Sequence, residues 1–247
     1  MTKKMNKLIA VVLALLPLPL LANEGGGLQS AHTNIASPAS LQRGARLFMN
    51  YCSGCHSLEY MRYSRVAQDL GLSEEQAMRN LNFTGAKFGE PIKASMSVAD
   101  ATQFFGKAPP DLSLIARSRG VDWVYTYLKS FYVDESKASG WNNPLLPGVS
   151  MPNVLWEMQG VQRAQWETGH EGGEPHLKSL TVAESERGSM TAAEFDEAAR
   201  DITTFLQYVG EPAALQRSAV GVWVVLFLAL LTFLAYLVKV EYWKDVH

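Results

Sequence analysis

Cysteine is almost absent from this chain: of 247 residues, only Cys52 and Cys55 carry a thiol. A structural zinc site of the usual kind draws four ligands from two such pairs, so that chemistry is excluded at the outset. An excess of positive charge is missing too, since 22 Lys and Arg stand against 24 Asp and Glu for a net charge of −2. Nucleic acid is therefore not an implied partner. No internal repeat is present, and no segment sustains the apolar–polar alternation of a half-buried strand, which leaves strands few and short.

What is there instead is concentrated in five residues, Cys52-Ser53-Gly54-Cys55-His56. Cys-x-x-Cys-His is the attachment signature of a c-type haem. Two thiols three positions apart reach the two vinyl groups at one haem edge as thioethers. The adjoining histidine is carried under the iron as its proximal ligand. A thioredoxin-like Cys-x-x-Cys would instead follow a strand in a βαβ unit. Here Leu41, Ala45, Phe48 and Tyr51 form a helical stripe that runs straight into Cys52, with Gly44 offering a close-approach point on nearly the same face.

The two ends place this motif outside the cytoplasm. Residues 1–22 carry Lys3, Lys4 and Lys7, an apolar stretch from Leu8 to Leu21 interrupted by Pro17 and Pro19, and then Ala22, the pattern of a cleaved signal peptide. Ala219 to Val238 is an uncharged run that as a helix would be roughly 30 Å long, the thickness of a bilayer core. Trp223, Tyr236, Tyr242 and Trp243 sit near its ends as interfacial anchors, and Lys239 and Lys244 suit a short cytoplasmic tail. The expected organisation is a signal peptide at 1–22, a periplasmic haem domain at 23–217, a transmembrane anchor at 218–238 and a cytoplasmic tail at 239–247.

Within the haem domain the patterns are helical. Ser73 to Leu81 and Ser97 to Phe105 open on capping serines, Asp111 to Arg117 follows Pro109-Pro110, and Asp122 to Tyr132 spaces Trp123, Tyr127 and Phe131 four apart. Residues 138 to 152 carry turn chemistry, and 167 to 189 read as a long polar excursion over the surface. Thr191 and Glu194 have capping-box spacing ahead of the stripe Phe195, Ile202, Leu206 and Val209, with Gly210 and Pro212 ending the helix.

The sixth iron position decides between an electron carrier and a ligand-binding or catalytic haem. Met151, Met158, Met190, His170 and His176 are the downstream candidates. Met151 precedes Pro152 in an irregular loop, a common way to present a thioether. Met190 lies next to the capping Thr191, where a hydrophobic staple against Phe195 is the competing role. Spacing does not choose between them. An open sixth position, as in a haem enzyme or gas sensor, and a bis-histidine carrier also stand as alternatives at this point.

Arg43-Gly44 through Phe48 leading into the haem motif, Ala108-Pro109-Pro110-Asp111-Leu112-Ser113 followed by Arg117-Ser118-Arg119, Gly148-Val149-Ser150-Met151-Pro152, and Met190 through Pro212 with the tail anchor behind it together resemble the cytochrome c1 family, the haem subunits of quinol:cytochrome c oxidoreductase (bc1) complexes. The resemblance covers nearly the whole mature chain. It implies a mainly α, cytochrome c-like haem domain with long irregular loops and one C-terminal transmembrane helix. It also implies one haem c held covalently through Cys52 and Cys55, with His56 and Met190 on the iron. Met151 matches a loop that lies near the haem without coordinating. Arg119 matches an arginine beside a haem propionate, a charge-assisted pair, and Pro110 packs near the haem in the same block. The implied role is single-electron transfer from a Rieske iron–sulfur subunit to a cytochrome c acceptor, next to cytochrome b, on the periplasmic side of a bacterial cell membrane. On that reading the chain touches lipid and no nucleic acid, and it is an electron-transfer subunit rather than an enzyme on its own.

Overall fold

A computed structural model of the chain describes residues 27–167 and 176–245, so the leader read at 1–22 and the candidate ligand His170 lie outside the described residues. In chain order these form α1 (Pro38–Tyr51), β1 (Leu58–Arg62), α2 (Tyr63–Leu70), α3 (Glu74–Leu81), β2 (Pro91–Ile92), α4 (Val98–Phe105), α5 (Ile115–Ser118), α6 (Val121–Lys129), β3 (Tyr132–Val133), β4 (Trp141–Asn142), α7 (Trp156–Gln159), β5 (Gly160–Glu167), β6 (His176–Arg187), α8 (Ala192–Gly210) and α9 (Ala214–Tyr242). The strands pair antiparallel as β1–β2, β3–β4 and β5–β6. The fold is mainly helical, as expected.

The core is organised by the crossing of α1 over α8. Ser37 caps α1 by accepting from the Ser40 amide, Pro38 occupies the first turn, and Leu41, Ala45 and Phe48 are buried. Gly44 lets the two backbones touch: a Cβ there would sit 2.1 Å from the carbonyl oxygen of Asp201 and 2.8 Å from the Phe205 Cβ. Phe48 and Phe205 pack beside that contact with ring centroids 5.8 Å apart. Asp201 is buried at the crossing, and its carboxylate is satisfied by the Ser40 hydroxyl and by Arg43, whose Nε and Nη2 donate at 2.5 and 3.1 Å. A buried carboxylate is tolerable only with partners of this kind. At the far end of α8, the buried Tyr208 hydroxyl donates to Asp69 at 2.8 Å, tying in α2.

The expected caps are present. Ser73 and Gln76 form a capping box at α3, Ser97 caps α4, and Thr191 and Glu194 form a second box at α8. The Glu194 carboxylate accepts from the Thr191 backbone amide and hydroxyl, which hold it below the usual carboxylate range. A lowered folded value means the contribution is complete above the unfolded Glu value of about 4.3 and disappears as pH falls through the folded one. Glu194→Gln should therefore be less stable than wild type near neutrality, and the gap should close in acid. Equal denaturation midpoints at neutral pH would remove the charge from the account.

Three expectations need correction. The helix expected from Asp111 to Arg117 starts only at Ile115. Asp111 instead accepts from the Ser113 amide and the Glu59 amide, both at 2.8 Å, and Leu112 donates to the Ser57 carbonyl, so the block stays extended against the chain that follows His56. The surface excursion at 167–189 is largely strand β6, paired with β5 in a two-stranded ribbon. Its pattern was hidden because register slips between Gln165 and Trp166, and because neither face is fully covered.

The helix expected to run from Asp122 to Tyr132 stops at Lys129, and Tyr132 pairs in β3. Its aromatic spacing produces a column: Trp123 stacks on Tyr127 at 4.8 Å, and Tyr127 meets Phe131 edge-on at 5.0 Å. Helix α9 contains a span from Ala219 to Tyr242 with mean hydropathy 2.5 and no residue buried by the rest of the protein, long and apolar enough to cross a membrane.

Candidate haem-binding site

Helix α1 ends inside the Cys-x-x-Cys-His motif. The Cys52 and Ser53 amides both donate to the Phe48 carbonyl, and the Cys55 and His56 amides both donate to the Cys52 carbonyl at 3.0 and 2.8 Å. This extra turn brings the two thiols and the imidazole together at the helix terminus. A second layer holds the turn from outside, because Ser95 donates to the Ser53 carbonyl, Met96 to the Gly54 carbonyl, and Ala94 to the Ser57 hydroxyl at 2.8 Å.

His56 is buried, and its Nδ1 lies 2.7 Å from the Pro110 carbonyl. A carbonyl only accepts, so Nδ1 carries the proton and donates, which leaves the Nε2 lone pair for a metal. Burial lowers the pKa of this imidazole, against smaller opposing effects of the Pro110 carbonyl and Asp111. A neutral ring with a fixed tautomer is the form that ligates iron. Burial, with the nearby Cys55, pushes the Cys52 thiol up to about 12, and burial raises Cys55 as well. A redox-active Cys-x-x-Cys needs the opposite shift, toward a stable thiolate. Both cysteines are free thiols here. A His with its Nδ1 held, and two protonated thiols one and four residues before it, fits a covalently attached haem.

Pro110 thus contributes through its backbone carbonyl. Arg119 closes α5, is exposed, and places its guanidinium 5.2 Å above the Trp123 ring. Arg119 makes no ion pair among the described residues, and a guanidinium over a ring can still donate to an anionic group.

The sulfur candidates separate by environment. Met151 is half-buried and its thioether accepts from the Tyr127 hydroxyl at 3.6 Å. Met158 is buried in the core. Met190 precedes the Thr191 cap, is half-buried, and packs against the cluster that contains Cys52, Met158 and Phe195. His176 opens β6 opposite Glu167 in the ribbon.

Asp111, Ser113 and Ser57 were not expected at the site, yet they form the frame that sets the Pro110 carbonyl over His56. Ser113 is fully buried and accepts from the Tyr60 amide at 3.2 Å. The available signal was Pro-Pro-Asp-x-Ser, a spelling for an Asx-turn in which an aspartate caps the amide two residues on.

Comparison with known proteins agrees with the geometry. A family model described as the cytochrome C1 family matches residues 32–171 and 177–246. Cytochrome c1 of Allochromatium vinosum is 53% identical over 246 residues, covering 98% of this chain and 100% of the relative. A Nitrosomonas europaea protein named ammonia monooxygenase gamma subunit is 41% identical over 240 residues, 96% of this chain and 97% of the relative. The mitochondrial cytochrome c1 heme protein of Saccharomyces cerevisiae is 27% identical over 238 residues, 84% of this chain and 67% of the relative.

Proposed function

Since this chain belongs to the cytochrome c1 family, we propose that it is the membrane-anchored haem subunit that passes single electrons from a Rieske iron–sulfur subunit to a cytochrome c, beside cytochrome b in a bc1 complex. The observation that carries the reading is the His56 imidazole, buried and tied through Nδ1 to the Pro110 carbonyl directly after two free thiols. The chain makes or breaks no substrate bond in this role and is not an enzyme on its own.

Cys52 and Cys55 would hold one haem c covalently, and the group would supply one-electron redox chemistry. His56 would ligate the iron through Nε2, made a stronger donor because its Nδ1–H donates a hydrogen bond to the Pro110 carbonyl. Met190 would supply a second, thioether ligand, and a thioether paired with an imidazole favours reduced iron relative to two histidines. Arg119 would pair with a propionate, and the buried side chains behind Cys52 would exclude water from the ring. Helix α9 fixes the domain to the bacterial cell membrane with the haem on the periplasmic side, the 1–22 leader having been removed and the 239–247 tail left in the cytoplasm.

Purification of the tagged full-length chain from membranes tests this directly. Haem should stay with the polypeptide on a denaturing gel, Cys52→Ala should reduce that staining sharply, and b-type haem and a two-iron cluster should co-purify. Addition of a quinol should reduce the c-type haem in the purified assembly. A chain without covalent haem would overturn the site. Co-purification with an ammonia monooxygenase, which the name of the Nitrosomonas relative describes, would overturn the complex while leaving the site standing.

A further inference from the structure

We propose that Gly160 and Gly188 form a backbone clamp that positions Met190 over the iron, making these two glycines positioning residues of the sixth-ligand site. The inference rests on the reading of Met190 as that ligand.

The β5–β6 ribbon begins two residues after Met158 and ends three residues before Met190. At its base the two chains touch backbone to backbone. A Cβ on Gly188 would sit 2.3 Å from the Met158 carbonyl oxygen and 2.5 Å from the Gly160 amide nitrogen. A Cβ on Gly160 would sit 2.6 Å from the Glu186 carbonyl oxygen and 2.8 Å from the Gly188 nitrogen, and its φ of +93° is one that other residues adopt only with strain. No flexible side-chain tip is available at the backbone contacts to move aside.

The closeness is used. The Ser189 amide donates to the Glu157 carbonyl at 2.8 Å and the Met190 amide to the Met158 carbonyl at 3.2 Å, so two successive residues are bonded to α7. On the other side Thr191 is fixed by its capping box. Met158 is buried in the cluster that includes Cys52 and Phe195, which makes the accepting carbonyl part of the rigid core. Methionine has three rotatable bonds, and a thioether is held on iron only if the ordering cost of its chain is small. A clamped backbone lowers that cost before the bond forms.

The test uses the full-length, haem-loaded protein with Gly188→Ala, Met190→Leu and, as a control farther along the ribbon, Gln165→Ala. Gly188→Ala should keep haem on a denaturing gel but lose the far-red sulfur-to-iron absorption band of the oxidised form and bind carbon monoxide when reduced. Gln165→Ala should match wild type in all three. An intact band with carbon monoxide still excluded in Gly188→Ala would overturn the clamp. Amide hydrogen exchange on the wild type tests it without substitution, covering the case in which Gly188→Ala fails to fold. The Ser189 and Met190 amides should exchange as slowly as the centre of α8, and exchange at the rate of exposed loop residues would refute the proposal. If wild type lacks the band, or Met190→Leu retains it, the ligand reading fails instead, while the exchange result still reports the clamp.

Discussion

Met190→Leu should retain its haem through both thioethers, lose the sulfur-to-iron band, bind carbon monoxide in the reduced state and titrate at a lower midpoint potential. Leucine fills a similar volume without a donor atom, so the packing of this position against the core cluster changes little. What changes is the ligand field. Axial ligation commands roughly 0.8 V across haem proteins, and loss of the thioether should lower the potential by something on the order of 0.1 V or more. Met151→Leu is the matched control. Its sulfur is engaged by the Tyr127 hydroxyl, so its removal should leave band and potential unchanged. A midpoint that falls in Met151→Leu and not in Met190→Leu would exchange the two assignments.

Gly44→Ala should be the most damaging single-methyl change in the domain. The new Cβ would meet the Asp201 carbonyl oxygen at 2.1 Å, and that atom belongs to helix backbone, which cannot swing away as a side-chain tip would. Separation of α1 from α8 would also pull Ser40 and Arg43 from the buried Asp201 carboxylate. Overpacking alone costs about 1–3 kcal/mol, and an exposed or orphaned buried carboxylate adds to it. A depressed melting temperature and a falling yield of haem-loaded protein are the expected readouts. A melting temperature equal to wild type would show that the crossing can open without penalty.

Much of this was legible in the chain because the relevant signals are local. Cys52 to His56 is contiguous, Thr191 and Glu194 are three apart, and the run from Ala219 needs only a count of apolar residues. Gly44 could be marked as a close approach from its place on the Leu41–Ala45–Phe48 stripe, but not what it would touch. The frame around His56 was less accessible, since Pro110 acts through its backbone carbonyl and Asp111 and Ser113 accept from backbone amides more than 50 positions away, pairings that no local spacing spells out. The ribbon was missed for a different reason. A strand announces itself by burying alternate residues, whereas Thr181 and Ala183 are exposed while Leu180 and Val182 are only half-buried, and the extra residue near Lys178 shifts the phase.

Between the end of α8 at Gly210 and the start of α9 at Ala214 lie only Glu211, Pro212 and Ala213. Arg117 and Arg217 both pair with Glu211, one from the haem domain and one from the anchor helix. Three residues reach about 10 Å even when fully extended, which is far less than the ~28 Å length of the 19-residue α8 itself. The redox domain therefore stands on a post instead of swinging on a leash. With α9 in a membrane, encounters with partners would be governed by orientation at a nearly fixed height above the bilayer, and lengthening this joint by a flexible insert would trade that orientation for reach.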